Sequence, residues 1–212
     1  MEHWIFDLDN TLYPAENNLF SQIDRRMGAF IARRFDLSPA AARDLQKSYF
    51  RTYGTTLRGL MTEHDIPPED FLDYVHDIDF GVLRPDLRLK AVLEKLTGPK
   101  YIYTNASRPY TDKVLAKIGL DGIFDGIFAI ESADYLPKPH DQSYHRMAED
   151  MGLDPEKSVM VEDMAQNLAP ASRMGMTTVW VPTGQKWSAA GHRPEYIDHT
   201  APDLTEWLES QL

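Results

Sequence analysis

The sequence predicts an α/β protein: a doubly wound parallel sheet with a Rossmann-like core, interrupted by an inserted α-helical cap. Three observations predict it. Of five short β-rich runs, most are continuously apolar rather than alternating, as strands covered on both faces are. The later runs alternate with amphipathic helical patterns that stop at glycines. The stretch 15–82, between the first run and the second, carries helical patterns only.

Taken in order, "HWIFD" (3–7) is the first strand. In the insertion, Leu19, Phe20, Ile23, Met27, Phe30 and Ile31 recur at helical spacing. "SPAAARDLQKSYFRTYG" opens with Ser38 as a cap and Pro39 at the first helical position, and closes at Gly54. "TLRGLMTEHDI" and "PPEDFLDYVHDI" predict two more helices. The division is therefore 15–82 as an α-helical cap, with 1–14 and 83–212 as the catalytic α/β core. The core continues with strands "KYIYT" (100–104), "GIFAIE" (126–131), "SVMVE" (158–162) and "TTVWV" (177–181). Helices between them stop at Gly119, Gly152 and Gly175. Residues 183–202 read as polar and irregular, and "DLTEWLESQL" as a last short helix capped by Asp203.

Composition narrows the function classes. A chain of 212 residues holds one core and a small second unit. The formal charge is 22 − 33 = −11, which argues against a general grip on a nucleic acid polymer, since that needs a basic face. No cysteine is present, which removes disulfides and thiolate catalysis and fits a reducing compartment. No apolar run reaches the roughly 18 residues of a membrane span. The opening "MEHWIFDLD" has acids where a secretory signal needs apolar residues, so the expected location is cytoplasmic. Oligomeric state has no signature in the sequence.

In an open parallel sheet, ligands bind beyond the carboxyl ends of the strands. There the sequence sets Asp7 and Asp9, then Thr104 and Asn105, then Lys138 in "YLPKPH", then Glu162 and Asp163. Singly each is ordinary: aspartates cap and turn, and lysines are solvated. Together, four acids at one edge repel unless a cation sits among them. An all-oxygen set suggests Mg²⁺, and no cysteine or close histidine pair suggests zinc. Such a metal leaves positions for a phosphate oxygen. Thr104, the amides near Asn105 and Ala106, and Lys138 would hold a phosphoryl group. One carboxylate would attack phosphorus, and the second would protonate the leaving alcohol and later deprotonate water.

In this order "DLDNTLY", "YTNAS", "KP" and "ED" resemble the four motifs of the haloacid dehalogenase superfamily, over essentially the whole chain. An insertion straight after the first motif resembles its α-helical cap class. "YGTTLRGL", with "DLDNTLYP" and "NLAPASRMGMTTVWV", resembles the pyrimidine 5′-nucleotidase branch, which implies a nucleoside monophosphate as substrate. The resemblance implies Asp7 as nucleophile and metal ligand, and Asp9 as acid/base with its backbone carbonyl on the metal. It implies Thr104 and Asn105 at the phosphate, Lys138 orienting nucleophile and phosphate, Asp163 as the main acidic ligand and Glu162 as a weaker one. The run "EDMAQN" departs from the pattern, with Met164, Ala165 and Gln166 where serine and a basic residue are expected, while Asn167 is retained. An acid at position 9 favours phosphoryl transfer over dehalogenation, which needs no second acid.

Specificity falls to the cap, where Arg51, Tyr53, Thr55, Thr56 and Arg58 surround Gly54. Arg58 would donate to a phosphate or a base carbonyl, and Tyr53 would stack on a base. The competing view makes Tyr49, Phe50 and Tyr53 a packing stripe. Alternative functions are a phosphatase for a sugar phosphate or phosphoglycolate, a phosphomutase, a haloacid dehalogenase, and an inactive scaffold.

Overall fold

The computed structural model describes residues 2–212. Six parallel strands form one sheet: β1 (His3–Phe6), β2 (Lys100–Tyr103), β3 (Gly126–Phe128), β4 (Ser158–Glu162), β5 (Thr177–Trp180) and β6 (His199–Thr200). Their spatial order is β3-β2-β1-β4-β5-β6. β1 is thus flanked by β2 and β4, and the crossovers diverge on either side of it, which opens a crevice at its carboxyl end. Phe6 pairs with Ile102 and with Val161, so one residue further Asp7 emerges between Tyr103 and Glu162.

The continuous apolar runs are explained by the two faces. Ile5, Tyr103 and Met160 pack with Tyr144 and Met147 of α7 (Asp141–Asp150) and Leu168 and Ala171 of α8 (Ala165–Arg173). Trp4, Phe6, Ile102, Val159, Val161 and Val179 join the opposite cluster. That cluster takes in α5 (Leu87–Lys95), α6 (Arg108–Ile118) and α9 (Leu204–Glu209). Each such side chain taken fully from water contributes about 1.5–3 kcal/mol.

Four helices stand between β1 and β2: α1 (Leu19–Phe35), α2 (Pro39–Tyr53), α3 (Thr56–His64) and α4 (Pro68–Val75). Ser38 Oγ accepts from the Ala41 amide at 3.3 Å, the cap expected of it. Leu19, Ile23 and Ile31 are buried, and Phe30 packs edge-on against Phe71 at 5.2 Å. Phe20 departs from the predicted stripe and is exposed. α2 and α3 cross closely because residue 59 is glycine: a Cβ there would lie 2.4 Å from Tyr49 Cγ.

Three elements differ from expectation. The strand expected over 126–131 ends at Phe128. The Ile130 amide donates to Ala106 O in the neighbouring loop, which turns the chain out of the ladder. α5 and the two-residue β6 were not anticipated, so 183–202 is less irregular than its composition suggests. Among the described residues, no helix is long and apolar enough to cross a membrane.

Candidate active site

Lys138, in the loop after β3, organises the site. Its Nζ donates to Asp7 Oδ1 at 2.7 Å, Glu162 Oε2 at 2.6 Å and Tyr103 O at 3.0 Å, which uses all three protons. Asn105 fixes that lysine from the neighbouring strand end. Its Oδ1 accepts from the Lys138 amide at 2.8 Å and its Nδ2 donates to Lys138 O at 3.4 Å. Asn105, expected at the phosphate, thus spends its amide on the lysine's backbone. Thr104 is buried, and its Oγ1 accepts from the Ala106 amide at 3.0 Å. Thr11 Oγ1 donates to Asp7 Oδ2 at 3.1 Å.

Carboxylate oxygens of Asp7, Glu162 and Asp163 lie within 4.8 Å of one another. Lys138 is 2 % exposed and Asp163 3 %, so water does not screen their charges. Burial first, and then the charge of Glu162, pushes the Asp7 carboxyl up to about 7. Burial, followed by the charge of Glu162, also holds Asp163 well above the usual carboxylate range. Burial pulls the Lys138 ammonium down, but Asp7 and Glu162 outweigh it and hold it above the ordinary lysine value. One ammonium among three carboxylates leaves the cluster short of positive charge. Asp163 Oδ2 is buried without a hydrogen-bond partner. An orphaned carboxylate oxygen in an all-oxygen donor set fits a hard divalent cation such as Mg²⁺. Glu162 belongs to the same triad, but both its oxygens are engaged, Oε2 by Lys138 and Oε1 by the Met164 amide at 3.0 Å. Asp163 is anchored through its carbonyl, which accepts from Trp180 Nε1 at 2.8 Å and Ser188 Oγ at 2.6 Å.

Asp9 stands outside that triad. Its Oδ1 accepts from Tyr110 Oη at 2.6 Å and from the Tyr13 hydroxyl. Burial keeps its carboxyl above the ordinary value in spite of these two donors, which act to lower it.

The family model described as haloacid dehalogenase-like hydrolase matches residues 1–175. The chain belongs to this family. "Phosphate metabolism protein 8" of Saccharomyces cerevisiae is 24% identical over 191 residues, covering 82% of this chain and 59% of that protein. The chain therefore spans less than two thirds of that relative. A "Glyceraldehyde 3-phosphate phosphatase" of Pyrococcus furiosus is 27% identical over 138 residues, 63% of this chain and 57% of that one. A haloacid dehalogenase-like phosphatase structure from Thermococcus onnurineus superposes with a TM-score of 0.65 at 19% identity, over 100% of this chain and 98% of that one. At that identity the likeness carries the fold.

In this hydrolase the turn between α2 and α3 rests on the lysine loop. A Cβ at Gly54 would sit 3.6 Å from Pro137 Cγ and 3.7 Å from Lys138 O. Tyr53 lies edge-on to Tyr49 at 6.0 Å and its hydroxyl donates to Glu63, an arrangement of the packing kind. Arg58 is half-buried, and its guanidinium pairs with no carboxylate among the described residues. Five residues with roles here escaped the sequence reading: Thr11, Tyr13, Tyr110, Trp180 and Ser188. Tyr13 lies inside the first motif, four residues after Asp9. Tyr110 sits behind the Ser107 cap on α6, and Ser188 lies in the tail, so only the fold relates them to the strand ends.

Proposed function

We propose that this hydrolase is a phosphomonoesterase acting through a phosphorylated Asp7, with pyrimidine nucleoside monophosphates as its substrate class. The observation that carries the reading is the division of labour between two neighbouring acids. Asp7 is fixed by Lys138 and Thr11 beside the other carboxylates, while Asp9 is held apart by hydroxyl donors. A carboxylate that attacks phosphorus needs a partner to handle the proton; a dehalogenase attacking carbon does not.

Asp7 forms a bond to phosphorus as the bond to the leaving oxygen breaks, and Asp9 delivers its proton to that oxygen. Water then attacks the acyl phosphate, Asp9 takes its proton, and the Asp7 carboxylate is released with inorganic phosphate. Lys138 holds Asp7 in line throughout, and the Thr104 hydroxyl and the amides near Asn105 hold the phosphoryl oxygens. Asp7, Asp163 and the Asp9 carbonyl would hold Mg²⁺, with Glu162 beside them. The ion would supply positive charge to the phosphoryl oxygens. Residues 15–82 serve as a cap over the core formed by 1–14 and 83–212. Arg58, with no protein carboxylate to pair with, is the cap's donor for the nucleotide, and Tyr53 flanks it. The specific support for a pyrimidine nucleotide is the resemblance of "YGTTLRGL".

The test is phosphate release from UMP, CMP, purine monophosphates, a sugar phosphate and phosphoglycolate, each with Mg²⁺ and with chelator. UMP or CMP should lead, chelator should abolish release, and Asp7→Asn should be inactive while folded. A sugar phosphate or phosphoglycolate in the lead defeats the nucleotide assignment alone. Unchanged activity in Asp7→Asn defeats the mechanism.

A further inference from the structure

The two tyrosines on Asp9 are unlike anything else near the strand ends. Both are buried, at 4 % for Tyr13 and 1 % for Tyr110. Their hydroxyls converge on the same carboxylate oxygen, Asp9 Oδ1, and lie 3.4 Å from each other. Asp9 Oδ2 has no hydrogen-bond partner among the described residues. A carboxylate oxygen that accepts two O–H donors has its lone pairs occupied, so a proton on this acid resides on the other oxygen. The Tyr110 ring is itself fixed, stacked on His76 at 4.3 Å and against Phe80 at 5.8 Å. His76 Nδ1 in turn meets Ser107 Oγ at 2.9 Å. Tyr13 lies where the chain leaves the core for the helical insertion, and His76 and Phe80 lie where it returns.

We infer that Tyr110 and Tyr13 are positioning residues for proton transfer. They clamp Asp9 Oδ1 so that Oδ2 alone carries the proton to the leaving oxygen, and they tie that orientation to both crossings between insertion and core. The inference rests on the phosphomonoesterase reading above. In the first step the proton moves from Asp9 Oδ2 to the departing alkoxide as the P–O bond breaks, and Oδ1 keeps its two donors throughout.

Two synthetic esters expose the role because they differ in their need for that proton. p-Nitrophenoxide leaves as a stable anion, whereas a benzyl alkoxide must be protonated as it leaves. The quantity to measure is kcat/KM for benzyl phosphate and for p-nitrophenyl phosphate, with Mg²⁺, in wild type, Tyr110→Phe, Tyr13→Phe and Asp9→Asn. kcat/KM reports on the steps through departure of the alcohol. The benzyl-to-nitrophenyl ratio should fall roughly tenfold or more in both tyrosine variants, and further in Asp9→Asn. A purely structural role for the hydroxyls would lower both substrates in parallel and leave the ratio unmoved. An unmoved ratio in both tyrosine variants, with a collapsed ratio in Asp9→Asn, overturns the clamp and leaves the phosphatase reading standing. An unmoved ratio in Asp9→Asn, or a wild type inert on both esters and on every phosphate of the panel above, overturns the reading and the clamp together.

Discussion

Asp163 is the residue whose surroundings are least complete, and it yields a counterintuitive expectation. Without a cation, a buried carboxylate with an orphaned oxygen is a cost to the fold. Asp163→Asn should therefore stabilise the protein in chelator and abolish the gain in melting temperature that Mg²⁺ gives the wild type. A wild type unmoved by Mg²⁺ would sink the assignment of this site. The pH dependence has the matching sign. Asp7 and Asp163 have raised carboxyl pKa values when folded, so their contribution is fully present below the unfolded value and is lost as pH rises through the folded one. In chelator this contribution should fall as pH rises from about 4 to 7, between the ordinary carboxylate value and the value near 7 at which Asp7 titrates, and Mg²⁺ should flatten the fall. His76 acts over an overlapping window with the opposite sign. Burial, and next the charge of Lys113, lowers it from 6.5 to about 4, so it is neutral in the fold and takes up protons when unfolded. Its contribution is complete above 6.5 and is lost as pH drops, by about 2 kcal/mol at pH 5. Denaturant titrations with Mg²⁺, which suppresses the opposing Asp7 effect, should show a larger loss from pH 7 to pH 5 in wild type than in His76→Phe.

Among the elements, Gly59 marks the tightest crossing. Its absent Cβ lets α3 lie on the Tyr49 ring of α2, and the built Cβ clashes with the ring's root rather than with a mobile tip. Gly59→Ala should cost about 1–3 kcal/mol by overpacking, read as a lower denaturation midpoint with an unchanged slope. The same residue shows how legibility divides. "YGTTLRGL" stands out in the sequence, yet Gly59 there serves helix packing and Gly54 a turn against the lysine loop, two roles that one string cannot separate. α2 was legible because Ser38, Pro39 and Gly54 are local signals acting through neighbouring backbone. β6 was not, because His199 and Thr200 are both exposed and their strand character comes from pairing with Val179 and Trp180 alone. α5 carries an ordinary stripe of Leu89, Val92 and Leu93 behind an Asp86 cap, but no strand precedes it. The strand–helix alternation therefore did not ask for it. The acids at the strand ends could be read from order along the chain, since each strand delivers them directly. The tyrosine clamp could not, because 101 residues separate Asp9 from Tyr110.

Across the whole molecule, the buried site and the inserted helices pose one problem. Asp7, Thr104, Lys138, Glu162 and Asp163 are all buried, and movement of the insertion away from the core is the expected route by which a phosphate ester reaches them. The contacts that cross between the two include the hydrogen bonds of His76 with Ser107, of the Tyr135 hydroxyl with Glu69 at 3.4 Å and of Arg84 with the Gly81 carbonyl, the Tyr110 ring against His76 and Phe80, and the Gly54 turn against the lysine loop. None is a buried ion pair. The hydrophobic cluster, however, runs unbroken from Trp4 and Phe6 in the sheet to Ile31, Leu60 and Phe71 in the insertion. An insertion that opens must therefore pivot about the two crossings rather than peel off, since exposing that cluster would cost roughly 25 cal/mol per Å². The chain has no cysteine, which allows the motion to be measured directly. Phe50 on α2 and Leu87 on α5 are exposed at 40 % and 75 %, so cysteines there take spin labels without disturbing the core. The distance distribution between the labels should be broad in the free protein. It should narrow toward its short end when orthovanadate, a phosphate mimic, is added with Mg²⁺. A distribution that is already narrow and does not change with orthovanadate would mean a fixed insertion and would overturn this route of entry.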